Sequence, residues 1–179
     1  MSGVPNIPHF AELGVTSNFS FLRGGSHPRE LVSTAAQLGL TAIGIADRNS
    51  LAGAVRAHVE AREQNIRLVV GVRLALTCGF EALCFPTDRA AYGRLTQLLT
   101  AGNRKAGKGE CHLGFDDLSL LGKGQRLIAM PPYDFDMDFE TGVRRLSRLF
   151  PGATYLALTP YRRANDKARQ QRLEALSTA

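Results

Sequence analysis

What most constrains this chain is its rhythm: short apolar runs alternate with segments whose apolar residues recur at helical spacing. Phe10–Val15, Thr41–Ala46, Arg67–Leu76, Phe80–Phe85, Arg126–Met130 and Thr154–Leu158 read as strands, with Thr77-Cys78-Gly79 as a hairpin turn. Ser26-His27-Pro28 opens a helix, because Ser can cap and Pro is tolerated in a first turn. Leu31, Ala35 and Leu38 mark its buried face, and Gly39 stops it. Leu51, Val55 and Val59 form the stripe of a second helix. Thr87 caps a third, with Tyr92, Leu95, Leu98 and Leu99 on one side. Phe115–Leu121 is a short helix, Val143, Leu146, Leu149 and Phe150 mark another, and Ala164–Leu176 is the last. Asn103–Cys111 reads as a flexible basic loop, and Pro131–Asp138 as an acidic, Pro-rich connection.

This order predicts an α/β fold, a largely parallel sheet or barrel with helices outside. A (β/α)8 barrel takes about 250 residues, so a chain of 179 residues ending in a helix is expected to be an incomplete barrel. Residues 1–9 are expected to be a lead-in and 10–179 a single domain. The apolar fraction of 44% suits a real core. No run reaches the roughly 18 apolar residues that cross a membrane. Met1-Ser2-Gly3-Val4-Pro5 lacks a basic segment followed by an apolar one, so no export signal is expected and the cytoplasm is the expected location. Cys78, Cys84 and Cys111 make neither a CxxC pair nor a disulfide framework, and reduced thiols are expected.

The net charge of +6 is concentrated at one end. Residues 1–140 hold 14 basic and 14 acidic side chains, whereas residues 141–179 hold eight basic and two acidic, and 8 − 2 = +6. Such a skew can attract phosphate backbones, or can be the solvated face of two helices. The solvated face is the more ordinary outcome.

In parallel α/β folds, functional groups gather on loops at the C-terminal ends of strands. Here those places are Leu13–Ser17 running into Asn18–Gly25, then Ile45–Gly53, then Val70–Arg73, with Glu81 opening the following strand. His9, His27 and His58 are not spaced with second ligands, and Cys111-His112 has no third. P-loop, dinucleotide-binding and Gly-x-Ser-x-Gly patterns are absent.

Several long strings carry a resemblance together. Ala11-Glu12-Leu13, Ser17-Asn18-Phe19-Ser20-Phe21-Leu22-Arg23-Gly24, Asn49-Ser50-Leu51-Ala52-Gly53, Pro86 through Leu95 and Gly107 through Leu113 are involved. From about residue 10 onward the chain resembles the PHP (polymerase and histidinol phosphatase) domain of C-family DNA polymerases. It looks closest to the error-prone, damage-inducible branch, related to the DNA polymerase III alpha subunit. The resemblance implies a distorted, TIM-like (β/α) barrel. It also implies a site for up to three divalent metals in active members. Two His one residue apart on the first strand would face one site, but Gly14 and Thr16 occupy those positions. The family's Asp-His pair is Asp47-Arg48, the acid of its Gly-x-Glu is Arg73, and a later His is Glu81. The resemblance places a final Asp-x-His beyond Ala179.

A multinuclear site needs enough carboxylates and imidazoles to offset about four or more positive charges. The set Asp47, Glu81, Arg48 and Arg73 cannot provide that, so no metal and no catalytic residue is expected. The arginines could pair with the two acids, or could simply face solvent. The expected role is a non-catalytic scaffold module of an error-prone translesion polymerase, working in replication and repair after damage. Its expected partners are the remainder of the polymerase chain and, through the parent enzyme, DNA. By resemblance, mutasome accessory proteins and a sliding clamp are added. Two alternatives stand beside it. One is a Zn- or Mn-dependent phosphoesterase or 3′–5′ exonuclease. The other is a basic nucleic-acid-binding fragment using Arg104, Lys105, Lys108, Arg162 and Arg163.

Overall fold

The computed structural model describes residues 10–178; the expected lead-in of residues 1–9, with His9, lies outside them. Among the described residues six strands and six helices alternate, except that β4 follows β3 and α4 follows α3: β1 (Ala11–Val15), α1 (Pro28–Gln37), β2 (Ala42–Arg48), α2 (Ala54–Glu63), β3 (Arg67–Ala75), β4 (Glu81–Pro86), α3 (Arg89–Arg104), α4 (Phe115–Leu121), β5 (Gln125–Ala129), α5 (Met137–Leu149), β6 (Thr154–Leu156) and α6 (Asp166–Ser177). The strands lie in chain order in one sheet. The expected α/β alternation is present, and every predicted element has a counterpart within a few residues. Two compact units divide inside β3, between Val72 and Arg73.

In the first unit β1 and β2 run parallel, with Ala11 opposite Ala42 and Val15 opposite Ile45. A connection long enough to hold α1 is what parallel neighbours require. The β1 backbone passes so close to β2 that a Cβ on Gly44 would lie 2.6 Å from the Leu13 carbonyl oxygen. Val32, Ala35, Ile43, Ile45, Ala57 and Ala61 form the core, with Val15, Leu31, Leu40, Ile66 and Leu68 packed against it.

Two predicted helix faces are corrected here. In α1 the buried residues are Pro28, Val32 and Ala35, while Leu38 is the exposed C-cap, followed by Gly39 at φ 73°. The N-cap is His27, not Ser26, with Glu30 completing a capping box. In α2 the stripe of Leu51, Val55 and Val59 fails. Leu51 precedes the helix, Val55 and Val59 are exposed, and Ala57, Glu60 and Ala61 face inward. Small residues make up most of the inward face of α2, where Ala57 and Ala61 share one core cluster with Val32 and Ala35 of α1.

That small-residue contact also encloses a carboxylate. Glu60 accepts from Ser33 Oγ at 2.6 Å and Gln64 Nε2 at 3.0 Å, with Arg29 Nε 3.9 Å away. The Ser33 and Gln64 bonds, aided by Arg29, hold the Glu60 carboxyl below its ordinary value. A depressed folded-state value means that the group stabilises fully above the unfolded value and less as pH falls through the folded one. The urea midpoint is therefore expected to fall as the solution is acidified below about 4.5, the unfolded value. Glu60→Gln is expected to flatten that limb, and an unchanged acid limb in the variant would remove Glu60 from this account.

In the second unit β3 and β4 are joined through Thr77-Cys78-Gly79, with Leu76 N–H donating to the Phe80 carbonyl at 2.9 Å and Gly79 at φ 85°. β4 pairs antiparallel with β5, and β5 parallel with β6. The sheet is thus mixed: α3 and α4 return the chain antiparallel to β4, a reversal that strand length and periodicity do not show. Phe80 stacks on Phe139 at 5.5 Å and meets Phe115 at 5.3 Å, over Gly142 of α5. Asp88, not Thr87, caps α3 by accepting from Ala91 N–H at 2.7 Å, and Tyr92 is partly exposed. Thr87 instead donates to the Gly124 carbonyl. Cys84 is buried against Gln125, and burial pushes its thiol up to about 12, so it is an inert core group.

Candidate functional site

The C-terminal ends of β1 and β2 meet at a buried acid, Asp47, which is 1% exposed. Ser17 follows β1 after Thr16. Its N–H donates to Asp47 Oδ1 at 2.8 Å and its hydroxyl to Oδ2 at 2.8 Å. Ser20, one turn on, donates its hydroxyl to Oδ1 at 2.7 Å. The carboxylate therefore accepts three hydrogen bonds from one short loop. Ser20 Oγ also accepts the Arg48 N–H at 2.9 Å, and Ser17 Oγ the Phe19 N–H at 3.2 Å. Gly53, just before α2, packs on the open side: a Cβ there would lie 2.9 Å from Asp47 Oδ2 and 3.3 Å from Ser17 Oγ.

This arrangement does not fit a metal. Asp47 spends its oxygens on hydroxyl and amide donors, which are not metal ligands in that geometry. Gly14 belongs to β1, with its N–H donating to Glu12 Oε1 at 3.2 Å, and Thr16 is half-buried beside Ser17. Neither offers imidazole or carboxylate. Among the described residues no three His, Cys, Asp or Glu side chains come together as a metal-holding group. In the second unit Arg73 Nη1 lies 3.4 Å from Glu81 Oε2, both side chains being largely covered. The guanidinium there meets the carboxylate across the start of β4. At Asp47 the partners are serines. Residue-by-residue reading of ligand positions had no reason to single out Ser17 and Ser20. The available signal was two hydroxyls three apart just after a strand, which is the spacing of a loop that folds back on one acceptor.

Outside this corner, several of the basic side chains of residues 141–179 have partners within the chain. Arg169, 8% exposed, donates to the carbonyls of Tyr133, Thr159, Pro131 and Pro132 at 3.0–3.3 Å. Arg172 binds Glu140 Oε1 at 2.5–2.8 Å and the Phe135 carbonyl at 3.1 Å. Arg145 reaches Asp116 at 2.7 Å across the Phe115 ring. Of the five predicted nucleic-acid contacts, Lys105 is paired with Asp117, and its hydrogen bond holds the Asp117 carboxyl below the ordinary range. Arg163 lies 4.3 Å over the Tyr133 ring. Arg104 ends α3, Lys108 is exposed in the following loop, and Arg162 is exposed at φ 56°. The structure does not gather these five into one patch within a single element. Cys111 is half-buried, with burial raising its thiol, and His112 Nε2 sits 3.3 Å from Glu110.

The PHP domain family matches residues 12–147. The error-prone DNA polymerase of Rhodopseudomonas palustris (strain BisB5) is 48% identical over 97% of this chain and 16% of its own length. That of Caulobacter vibrioides is 49% identical over 94% of this chain and 16% of its own. The chain thus spans about a sixth of the curated relatives it matches. Among solved structures, a Bifidobacterium adolescentis protein described as a candidate metal-dependent phosphoesterase superposes with a TM-score of 0.67 at 14% identity. The match covers 94% of this chain and 84% of that one. A metal-free, sulfate-bound amidohydrolase from Chromobacterium violaceum gives 0.69 at 14% identity, covering 91% and 82%. At that identity these two show the fold alone. No helix among the described residues is long and apolar enough to cross a membrane.

Proposed function

Since this chain belongs to the PHP domain family, we propose that it is the PHP scaffold module of an error-prone polymerase, without metal or catalysis of its own. The parent would copy damaged template during replication and repair in the cytoplasm. The module's partner would be the rest of the polymerase chain, with DNA, accessory mutasome proteins and a sliding clamp reached through the parent. Residues 10–179 would act as one truncated PHP module, in which Gly14, Thr16, Asp47, Arg48, Arg73 and Glu81 are vestiges of the metal site.

The observation that carries this reading is the set of three hydrogen bonds that buried Asp47 accepts from Ser17 and Ser20. A carboxylate that accepts three hydrogen bonds from a loop stabilises the loop; a catalytic ligand must present its oxygens to an ion. The domain keeps the family's framework and spends its central acid on structure. The basic fragment reading loses support because Arg145, Arg163, Arg169 and Arg172 serve internal contacts.

The direct test is hydrolysis of bis(p-nitrophenyl) phosphate by the purified chain in added manganese, then zinc. The expected rate equals that of buffer with metal. Hydrolysis that scales with protein and disappears on chelation would place the phosphoesterase reading first.

A further inference from the structure

Ser20, Phe21, Leu22 and Arg23 form a tight turn, closed by the Arg23 N–H donating to the Ser20 carbonyl at 2.9 Å. Its two central residues are the wrong kind for an exposed turn. Leu22 stands at φ 60°, a left-handed conformation in which a branched side chain is strained and glycine or asparagine is favoured. Phe21 and Leu22 are also 85% and 89% exposed, so neither gains from burial within the described residues. The sequence thus accepts backbone strain to hold two large apolar side chains in water.

The base of the turn is rigid. Ser20 bonds Asp47 through its hydroxyl, receives the Arg48 N–H, and accepts both Arg23 and Gly24 N–H groups at its carbonyl. Gly24 is backed directly onto the Ser17 carbonyl, 2.3 Å from where a Cβ would lie. The turn is flanked along the chain by exposed polar residues, Asn18, Arg23 and Ser26. An apolar centre on a preorganised frame with polar flanks is the anatomy of a binding anchor.

We propose that Phe21–Leu22 is a docking knob that inserts into an apolar pocket on the remainder of the polymerase chain. The choice of occupant rests on the scaffold reading above. It also rests on length: the matched segment is 16% of the Rhodopseudomonas relative, which leaves 100 − 16 = 84% of a polymerase to meet it. Asp47 then has a use without a metal, since it anchors the turn that carries the knob.

The test replaces the matching segment of that relative by this chain and compares the chimera with the isolated chain by hydroxyl-radical footprinting. Oxidation of Phe21 is expected to fall about fivefold or more in the chimera, as for a residue in an interface core. Phe21→Ser with Leu22→Gly is expected to leave the melting point of the isolated chain unchanged or higher, and to lower that of the chimera. Equal oxidation of Phe21 in a chimera that still synthesises DNA would overturn the knob and leave the scaffold reading standing. A chimera with an intact loop that makes no DNA would overturn the scaffold reading, and this inference with it. Concentration-dependent protection in the isolated chain would assign the knob to a second copy and overturn the proposed occupant.

Discussion

Replacing Arg169 with alanine is expected to lower the thermal midpoint by roughly 10 °C, corresponding to about 3–4 kcal/mol for a chain of this size. The Pro131-Pro132 connection is short of donors, because proline has no N–H. The carbonyl of buried Pro131 would lose its partner if Arg169 did not reach it, and those of Pro132 and Tyr133 would depend on water. One guanidinium answers four carbonyls across two segments, Pro131–Tyr133 and Thr159, from a single residue of α6. Its charge is met by carbonyl dipoles and by the rings of Tyr161 at 4.9 Å, Phe135 at 5.8 Å and Tyr133 at 6.0 Å. Arg169→Lys is expected to recover less than half of the loss, because three donors on one point cannot span the fork's four acceptors. Melting followed by circular dichroism reads both variants. An alanine variant within about 2 °C of the parent would show that these bonds form equally well with water.

Asp47→Ala is the second large effect, expected at about 3 kcal/mol, because it strands the Ser17 N–H and two serine hydroxyls in a buried corner. Asp47→Asn is expected to cost about half as much, since Ser17 N–H and the Ser20 hydroxyl keep the remaining oxygen while the Ser17 hydroxyl reverses to accept from the amide. The direction of the asparagine result separates two histories of this residue. An acid kept for a metal sits among repelling or poorly matched groups and is often improved by neutralisation. An acid kept as an anchor is not. A more stable Asp47→Asn protein would contradict the anchor role, while the ordering parent, asparagine, alanine would support it.

The strands and most helices were legible because they depend on local period and on turn residues such as Gly39 and Thr77-Cys78-Gly79. The orientation of faces was less so. Val55 and Val59 looked like a stripe, yet α2 turns Ala57, Glu60 and Ala61 inward, and no property of the α2 sequence alone announces which face its neighbour covers. The antiparallel entry of β5 follows from the way α3 and α4 turn the chain, information that resides in tertiary packing. At the site, the resemblance placed Asp47 in the corner, but its partners could not be read from ligand logic. The serines matter through backbone geometry, with one main-chain N–H doing a third of the work. The charge skew of residues 141–179 was legible, but its partners were not: Arg145 meets Asp116 at the surface, Arg169 meets carbonyls, and Arg172 meets Glu140.

The central claim is that this corner is a hydrogen-bonded anchor and not a metal centre. Inductively coupled plasma mass spectrometry on protein purified without chelator, then incubated with zinc or manganese and desalted, tests it most directly. The account predicts less than about a tenth of an ion per chain, unchanged in Asp47→Asn. One equivalent or more in the parent, lost in Asp47→Asn, would contradict it.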